Sequence, residues 1–346
     1  MAADFTLDRF LDIPRVAGLA LSPDGGRLVT TVARRGPKRF VTALWELDPT
    51  GAQPPRRLTR SAPGESGAAF LPDGSVLFTS ARPDPDAAED ATEDEETAGL
   101  WLLPAAGGEA WLAAAPPGGV QAVGVARDAG SVVLLSAVHP DAEDWAADRA
   151  RAKARTDVGV SARLFERYPI RYWDDYVGPR QGRLTVAVGP VTPGEDHLAL
   201  SELTPHPGWG LHGVQLDVTP DGRSVVAGWR RETPDPTVLA IDLVQIDATT
   251  GARRVLCADG AQYGGVTCSP DGQWVACVRD GVSTPEGPGD RTLVLVDLTT
   301  GEHRDLAVGL DRRPPPPPPR TRQPWCSPPT TAGTRCRFAW SSPLMP

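Results

Sequence analysis

The stretch LSPDGGRLVTTVAR at residues 21–34 decides how the rest of the chain is read. It opens with the residues of a tight turn. Proline presets φ at its position, aspartate bonds its own backbone, and glycine takes the positive φ that other residues resist. An alternating run follows, as a strand with one buried face requires. The chain writes this hairpin again as LPDGSVLFTSAR from Leu71, TPDGRSVVAGWR from Thr219 and SPDGQWVACVR from Ser269.

With the turn aspartate as marker, Asp24, Asp73, Asp221 and Asp271 lie 49, 148 and 50 residues apart. The middle gap holds a degenerate copy, VARDAGSVVLLSA from Val125, in which Asp128 is the marker and Arg127 replaces the proline. A second signature, strand, glycine-bearing turn, strand, follows each marker: LWELDPTGAQPPRRLT from Leu44, LWLLPAAGGEAWLAA from Leu100, LVQIDATTGARRVL from Leu243 and LVLVDLTTGEHRDL from Leu293. RLTVAVGPVTPGEDHLAL from Arg183 is a longer-turned version. Each unit therefore has four antiparallel strands. One unit cannot bury both its faces, so it stacks on a copy of itself, and a period of 40–50 residues points to β-propeller blades. The fold class expected is all-β, with about five blades at residues 16–60, 66–115, 120–202, 212–258 and 264–308.

Composition agrees. Proline (37) and glycine (36) make up about a fifth of 346 residues, which favours turns and short strands over long helices. The net charge of −9 comes almost wholly from residues 84–96, DPDAAEDATEDEE, whose eight carboxylates face no base; a solvated surface loop is expected there. No clustered positive charge suggests nucleic acid. No apolar run is long enough to span a membrane, and the amino-terminal residues do not form a signal peptide. Five cysteines without a CxxC pair fit a reducing, cytoplasmic setting, with Cys257, Cys268 and Cys277 as buried strand residues.

The strand pattern stops between Ala137 and Arg180. A helical insertion is expected at about 138–168, because DAEDWAADRARAKAR at residues 141–155 has acids early and bases late, as a helix dipole favours. ARLFERY reads as a further helical turn, and IRYWDDYVGPR at 170–180 as a packed strand or a ligand-facing rim. The propeller is assigned to 1–310 and a proline-rich tail to 311–346. Eleven of the 36 tail residues are proline, six of them consecutive, so the tail cannot be an internal strand and reads as polyproline II or disorder.

These residues together resemble the propeller of the prolyl oligopeptidase superfamily of serine peptidases, especially its acylaminoacyl peptidase and dipeptidyl peptidase-like bacterial branch. The similarity covers about residues 4–313. It rests on the opening DFTLDRFLDIPRVAGLALSPDG, on DPDAAEDATEDEETAGLWLLPAAGGEA, and on RYWDD after a helical insertion. The PDG turn is shared with TolB-like propellers. The resemblance implies a seven-bladed propeller over an α/β-hydrolase domain that cleaves peptides with Ser, Asp and His. No position here receives those catalytic residues, so the chain is expected to be inactive alone. Its peptide substrate belongs to the context of a full-length enzyme. Arg171, Trp173 and Asp174 are the candidates for the substrate rim, and Arg171 could hold a carboxylate bidentately. The alternative is a free-standing TolB-like or WD-type propeller that binds another protein. Uncovered blade faces would favour self-association.

Other motifs carry no chemistry. Gly64-Glu-Ser-Gly-Ala68 departs from the GxSxG elbow and leads into a strand. Gly208–Gly213 spells GxGxxG but is followed by a blade strand where a dinucleotide site needs a helix. His139, His197, His206, His212 and His303 show no metal-binding spacing, so neither metal nor cofactor is expected.

The basic residues are 33 Arg against 2 Lys, a bias typical of a GC-rich gene. A sixth marker is due near residue 321 and does not come. A reading-frame shift near Arg313 explains both the missing turn and the proline run. Resequencing the locus and its transcript is expected to reveal that shift; an uninterrupted frame through Pro346 would refute it.

Overall fold

The computed structural model describes residues 6–85, 97–162, 165, 170–172, 175–176, 178–191, 197–233, 239–285 and 287–306. The helical turn expected at ARLFERY falls largely outside them, as do the acidic run at 86–96 and the tail from 307 onward. The described strands form five four-stranded antiparallel blades.

Blade 1 follows a short helix α1 (Leu7–Asp12) and comprises β1 (Arg15–Leu21), β2 (Leu28–Arg35), β3 (Phe40–Leu47) and β4 (Arg56–Arg57). Blade 2 has β5 (Glu65–Phe70), β6 (Val76–Ser80), β7 (Gly99–Leu103) and β8 (Trp111–Ala114). In blade 3, β9 (Val120–Val125) and β10 (Val132–Val138) precede helix α2 (Trp145–Asp157) and a two-residue-stranded hairpin, β11 (Arg171–Tyr172) with β12 (Asp175–Tyr176). The blade resumes with β13 (Gln181–Ala187) and β14 (Ser201–Glu202). Blade 4 is β15 (Leu216–Val218), β16 (Ser224–Arg231), β17 (Ala240–Asp247) and β18 (Arg253–Cys257). Blade 5 is β19 (Gln262–Cys268), β20 (Trp274–Asp280), β21 (Arg291–Asp297) and β22 (His303–Asp305). A single parallel bridge, Ile241 to Gln262, joins the sheets of blades 4 and 5.

The marker turns work as their residues require. In blade 1, Ser22 Oγ donates to Asp24 Oδ1 (2.5 Å), Gly26 N donates to the same oxygen (3.0 Å), and Arg27 N donates back to Ser22 Oγ (2.8 Å). Blade 4 repeats the triangle with Thr219 and Asp221, and blade 5 with Ser269 and Asp271. Asp73 instead accepts from the backbone and hydroxyl of Ser75. Asp128 is different again: it pairs with the neighbouring Arg127 through both carboxylate oxygens. The turns between the third and fourth strands, at the same end as the markers, carry a second aspartate. Asp48, Asp247 and Asp297 each accept from the N–H groups of a following Thr-bearing turn.

Contacts divide the chain into two compact units, Met1–Val123 with Val191–Ala199, and Gly124–Pro190 with Leu200–Pro346. Within the first, Val29 and Leu44 of blade 1 pack on Phe70, Val76, Phe78 and Trp101 of blade 2. Within the second, Val226 and Leu243 of blade 4 pack on Val266, Val275, Cys277 and Val294 of blade 5. Turns also bond across blades. Arg27 Nη1 donates to Gly74 O (2.8 Å) in the first unit. In the second, Asp128 N and Ala129 N both donate to Pro220 O, and Arg127 Nη2 reaches Pro270 O (2.8 Å). The arginine that breaks the marker motif is thus an inter-blade tie.

Two glycines of the second turn class differ usefully. Gly251 has φ +70°, and a Cβ there would lie 2.2 Å from Leu203 O, whereas Gly301 has φ +80° and nothing nearer than 3.7 Å. Gly301→Ala is expected to cost about 1–2 kcal/mol, the left-handed penalty alone. Gly251→Ala is expected to cost clearly more, because backbone must also move. Urea unfolding of both variants measures the difference.

Candidate functional site

The insertion occupies residues 139–180, between β10 and β13. Its helix starts at Trp145 rather than at Asp141, because Asp144 is the N-cap: its side chain accepts from Ala147 N (2.7 Å). Arg151 of the helix pairs back with Asp141 on the approach.

Asp148, in the first turn of α2, is wholly buried and anchors the insertion to the blade. Its Oδ1 accepts from His139 N (2.6 Å) and lies 2.5 Å from His139 Nδ1; its Oδ2 accepts from Arg180 Nε (3.1 Å). Burial alone would push this carboxyl up. Hydrogen bonds from the His139 ring and backbone, with the Arg180 charge, outweigh that and hold it below the usual carboxylate range. The two ends of the insertion, at His139 and Arg180, therefore meet on one carboxylate. Arg183 adds a second layer: Nη2 donates to the carbonyls of His139 and Pro140 (3.1 Å each), and Nη1 pairs with Glu202 (3.1 Å).

Arg171 lies at the base of the β11–β12 hairpin, opposite Tyr176, and is exposed. Trp173 and Asp174 lie outside the described residues. Tyr176 packs on Phe165 with ring centroids 6.0 Å apart. Trp209 abuts the end of the insertion, since a Cβ on Gly178 would come within 2.9 Å of its ring. Arg171 thus sits on a short hairpin whose stem is tied down by a buried ionic cluster. A guanidinium so placed can meet a carboxylate through two parallel hydrogen bonds.

The GxGxxG stretch has another physical reason. It lies in turns ahead of β15, and a Cβ at Gly210 would fall 2.3 Å from the Trp229 ring, so the glycine admits an indole rather than a phosphate. Ser66, in the near-elbow sequence, is an exposed strand residue whose hydroxyl is 3.1 Å from Thr79 Oγ1. Cys257, Cys268 and Cys277 are buried, and burial pushes the thiols of Cys257 and Cys277 up, which makes them poor nucleophiles. Among the described residues no group of three His, Cys, Asp or Glu could hold a metal ion, and no helix is long and apolar enough to cross a membrane.

His139 has no motif around it, and its partners stand 9 and 44 positions away in the chain, at Asp148 and Arg183. The one local signal was an acid in the first turn of the expected helix, which reads equally well as a dipole partner.

No family model and no curated protein matches the chain. Solved structures do. The acylaminoacyl peptidase of Pyrococcus horikoshii is 10 % identical with a TM-score of 0.57, over 90 % of this chain and 42 % of that one. The β-propeller domain of the trilobed protease from Pyrococcus furiosus is 10 % identical with a TM-score of 0.50, over 87 % and 72 %. TolB from Acinetobacter baumannii is 15 % identical with a TM-score of 0.49, over 84 % and 55 %. The chain therefore spans about half the length of the peptidase and of TolB. Likeness at such identities establishes the fold, a β-propeller of four-stranded antiparallel blades.

Removing the Asp148 carboxylate should strand His139 and Arg180 in a buried place. Asp148→Ala is expected to lower unfolding free energy by about 3–5 kcal/mol. The folded carboxyl titrates below its unfolded value of about 3.9, so its contribution is complete above that pH and is lost as pH falls through the lowered folded value. The stability gap between wild type and Asp148→Asn, measured by denaturant unfolding, should therefore narrow from about pH 6 to about pH 3.

Proposed function

We propose that this chain is the propeller portion of a serine peptidase of the prolyl oligopeptidase type, the part that admits and orients peptides for a hydrolase domain. The observation that carries the reading is where the long connections fall. At the marker ends, the first and second strands of each blade are joined by tight turns. At the opposite ends, the second and third strands are joined by residues 36–39 in blade 1, but by 81–98 in blade 2 and 139–180 in blade 3. The two long connections carry the acidic segment and the RYWDD stretch, the sequence features that resemble this superfamily. Binding surfaces on rigid β scaffolds are built from such loops.

The chemistry of the insertion suits a peptide end. Arg171 offers a planar five-donor cation to a terminal or side-chain carboxylate. The anchor at Asp148 holds the stem, so less ordering is needed when a ligand binds. Cleavage itself is proposed for the hydrolase domain of such a peptidase, through an activated serine. A free-standing propeller that binds a folded protein is the competing reading.

A photoreactive N-acylated peptide with a free carboxylate tests this on the whole chain. Saturable labelling within residues 139–180 is expected. Arg171→Ala should weaken binding about tenfold while the melting temperature stays unchanged. Absence of saturable binding would overturn the peptide role. Unchanged binding with a lowered melting temperature would assign Arg171 to packing instead.

A further inference from the structure

The turn between β2 and β3 is basic. Arg34-Arg35-Gly36-Pro37-Lys38-Arg39 holds four cations in six residues, and all four are exposed. Gly36 N donates to Arg39 O (2.8 Å), so this is a closed turn that presents its side chains at one end of blade 1. Arg15, at the start of β1, joins them there, with its guanidinium carbon 4.1 Å from the Phe40 ring. Two carboxylates of α1 answer this charge, Asp8 and Asp12, and both bond to Arg35 Nη1 (3.0 and 3.3 Å). Among the described residues Arg15, Arg34, Lys38 and Arg39 have no ion pair. Arg34 lies over the Trp45 ring at 4.5 Å and Arg39 Nη2 donates to Ala62 O (3.3 Å), contacts that leave the positive charge uncompensated.

Blade 2 carries the opposite charge at the same end. Its β6–β7 connection, like the basic turn, joins a second strand to a third. The two roots are neighbours within one compact unit. A Cβ on Gly64 would lie 2.7 Å from Thr42 Oγ1 of β3, and Gly64 O accepts from Ser80 Oγ (2.8 Å), the last residue of β6. The connection has eight carboxylates at 84–96 and no base among them. Arg82, at its root, is already engaged: Nη2 donates to Ala110 O (2.8 Å), and the guanidinium carbon lies 3.8 Å from the Trp101 ring. A run as long as residues 86–96 extends at most roughly 36 Å, so a segment tied at both ends reaches roughly 18 Å from its roots. From Thr42 back to Lys38 the chain covers roughly 13 Å.

We infer that the basic turn of blade 1 is an intramolecular docking surface for the acidic residues 86–96, whose carboxylates pair with Arg34, Lys38 and Arg39. A single exposed ion pair contributes little, because water and salt screen it. Several pairs on a tethered segment differ, since the tether keeps the carboxylates at a high effective concentration and each further pair forms without a new loss of translational freedom. A separate acidic peptide has to displace the chain's own segment to use the turn. The pairing is sensitive to salt, which at about 0.1 M screens exposed charges beyond about 10 Å. This inference rests on charges within one unit and stands apart from the peptidase reading.

Carbodiimide coupling of the whole chain tests it, because the chain has only 2 lysines, Lys38 and Lys153. Lys153 pairs with Asp157 (2.9 Å) and serves as the internal control. At about 20 mM salt, where screening is weak, digestion and mass spectrometry are expected to find Lys38 joined to a carboxylate of residues 86–96. Its yield relative to the control should fall at least about threefold at about 0.5 M salt. It should fall likewise when Glu93→Gln, Asp94→Asn, Glu95→Gln and Glu96→Gln are combined, with circular dichroism unchanged. A mixture of isotope-labelled and unlabelled chains should give the product within single chains. A Lys153–Asp157 product with none from Lys38 to residues 86–96 would overturn the inference. So would a yield indifferent to salt and to the substitutions, or a product formed only between labelled and unlabelled chains.

Discussion

A four-stranded antiparallel sheet has two faces, and alternating side chains give it apolar residues on both. Water covers neither without cost, so each blade depends on a neighbouring sheet laid against it. The pairing of blade 1 with blade 2, and of blade 4 with blade 5, meets that need in the same way: three inner strands cover one innermost strand. Repetition in the sequence is the consequence. A module that must pack on its like keeps a turn aspartate at the same place and small or branched core residues, such as Val29, Val226 and Leu243.

Stacking by apolar area is nondirectional, and the turns supply direction. Ser22 with Asp24, Thr219 with Asp221 and Ser269 with Asp271 close the same hydrogen-bonded triangle, which sets the entry of the second strand. Backbone carbonyls at these turns then accept bonds from other blades, as Gly74 O does from Arg27 and Pro270 O from Arg127. Arginine recurs in the packing as well. The guanidinium carbon of Arg82 lies over Trp101 at 3.8 Å and that of Arg253 over Trp229 at 3.9 Å, so the charged heads themselves cover aromatic faces. The bias toward arginine has a structural use whatever its genetic origin.

The insertion in blade 3 follows a different logic. Its helix α2 buries no apolar side chain; Asp148 is its one buried residue. A long segment of that kind would wander if it were tied only by its covalent ends. The carboxylate of Asp148 instead draws His139 and Arg180 together, and Arg183 secures the carbonyls beside them. Charge-assisted hydrogen bonds do here what apolar packing does elsewhere. They are directional, so they hold the stem in place while leaving the hairpin with Arg171 in contact with solvent.

Local information was legible without coordinates. Turn position, strand alternation and the period near 50 residues lie within a few neighbours of each marker, and they suffice for blades, their order and their approximate ends. Asp48, Asp247 and Asp297 belonged to the same class of signal, a carboxylate three or four residues before a turn glycine. What stayed hidden was pairwise and distant. Asp148 with Arg180, Arg127 with Pro270, and Gly210 with Trp229 meet because the fold carries them together, and no spacing in the chain encodes that meeting. The sequence by itself determined a repeated four-stranded unit, because φ preferences and side-chain alternation act over a few residues. Only the tertiary structure decided which polar groups close on one another, because burial and contact depend on what the rest of the chain lays against each surface.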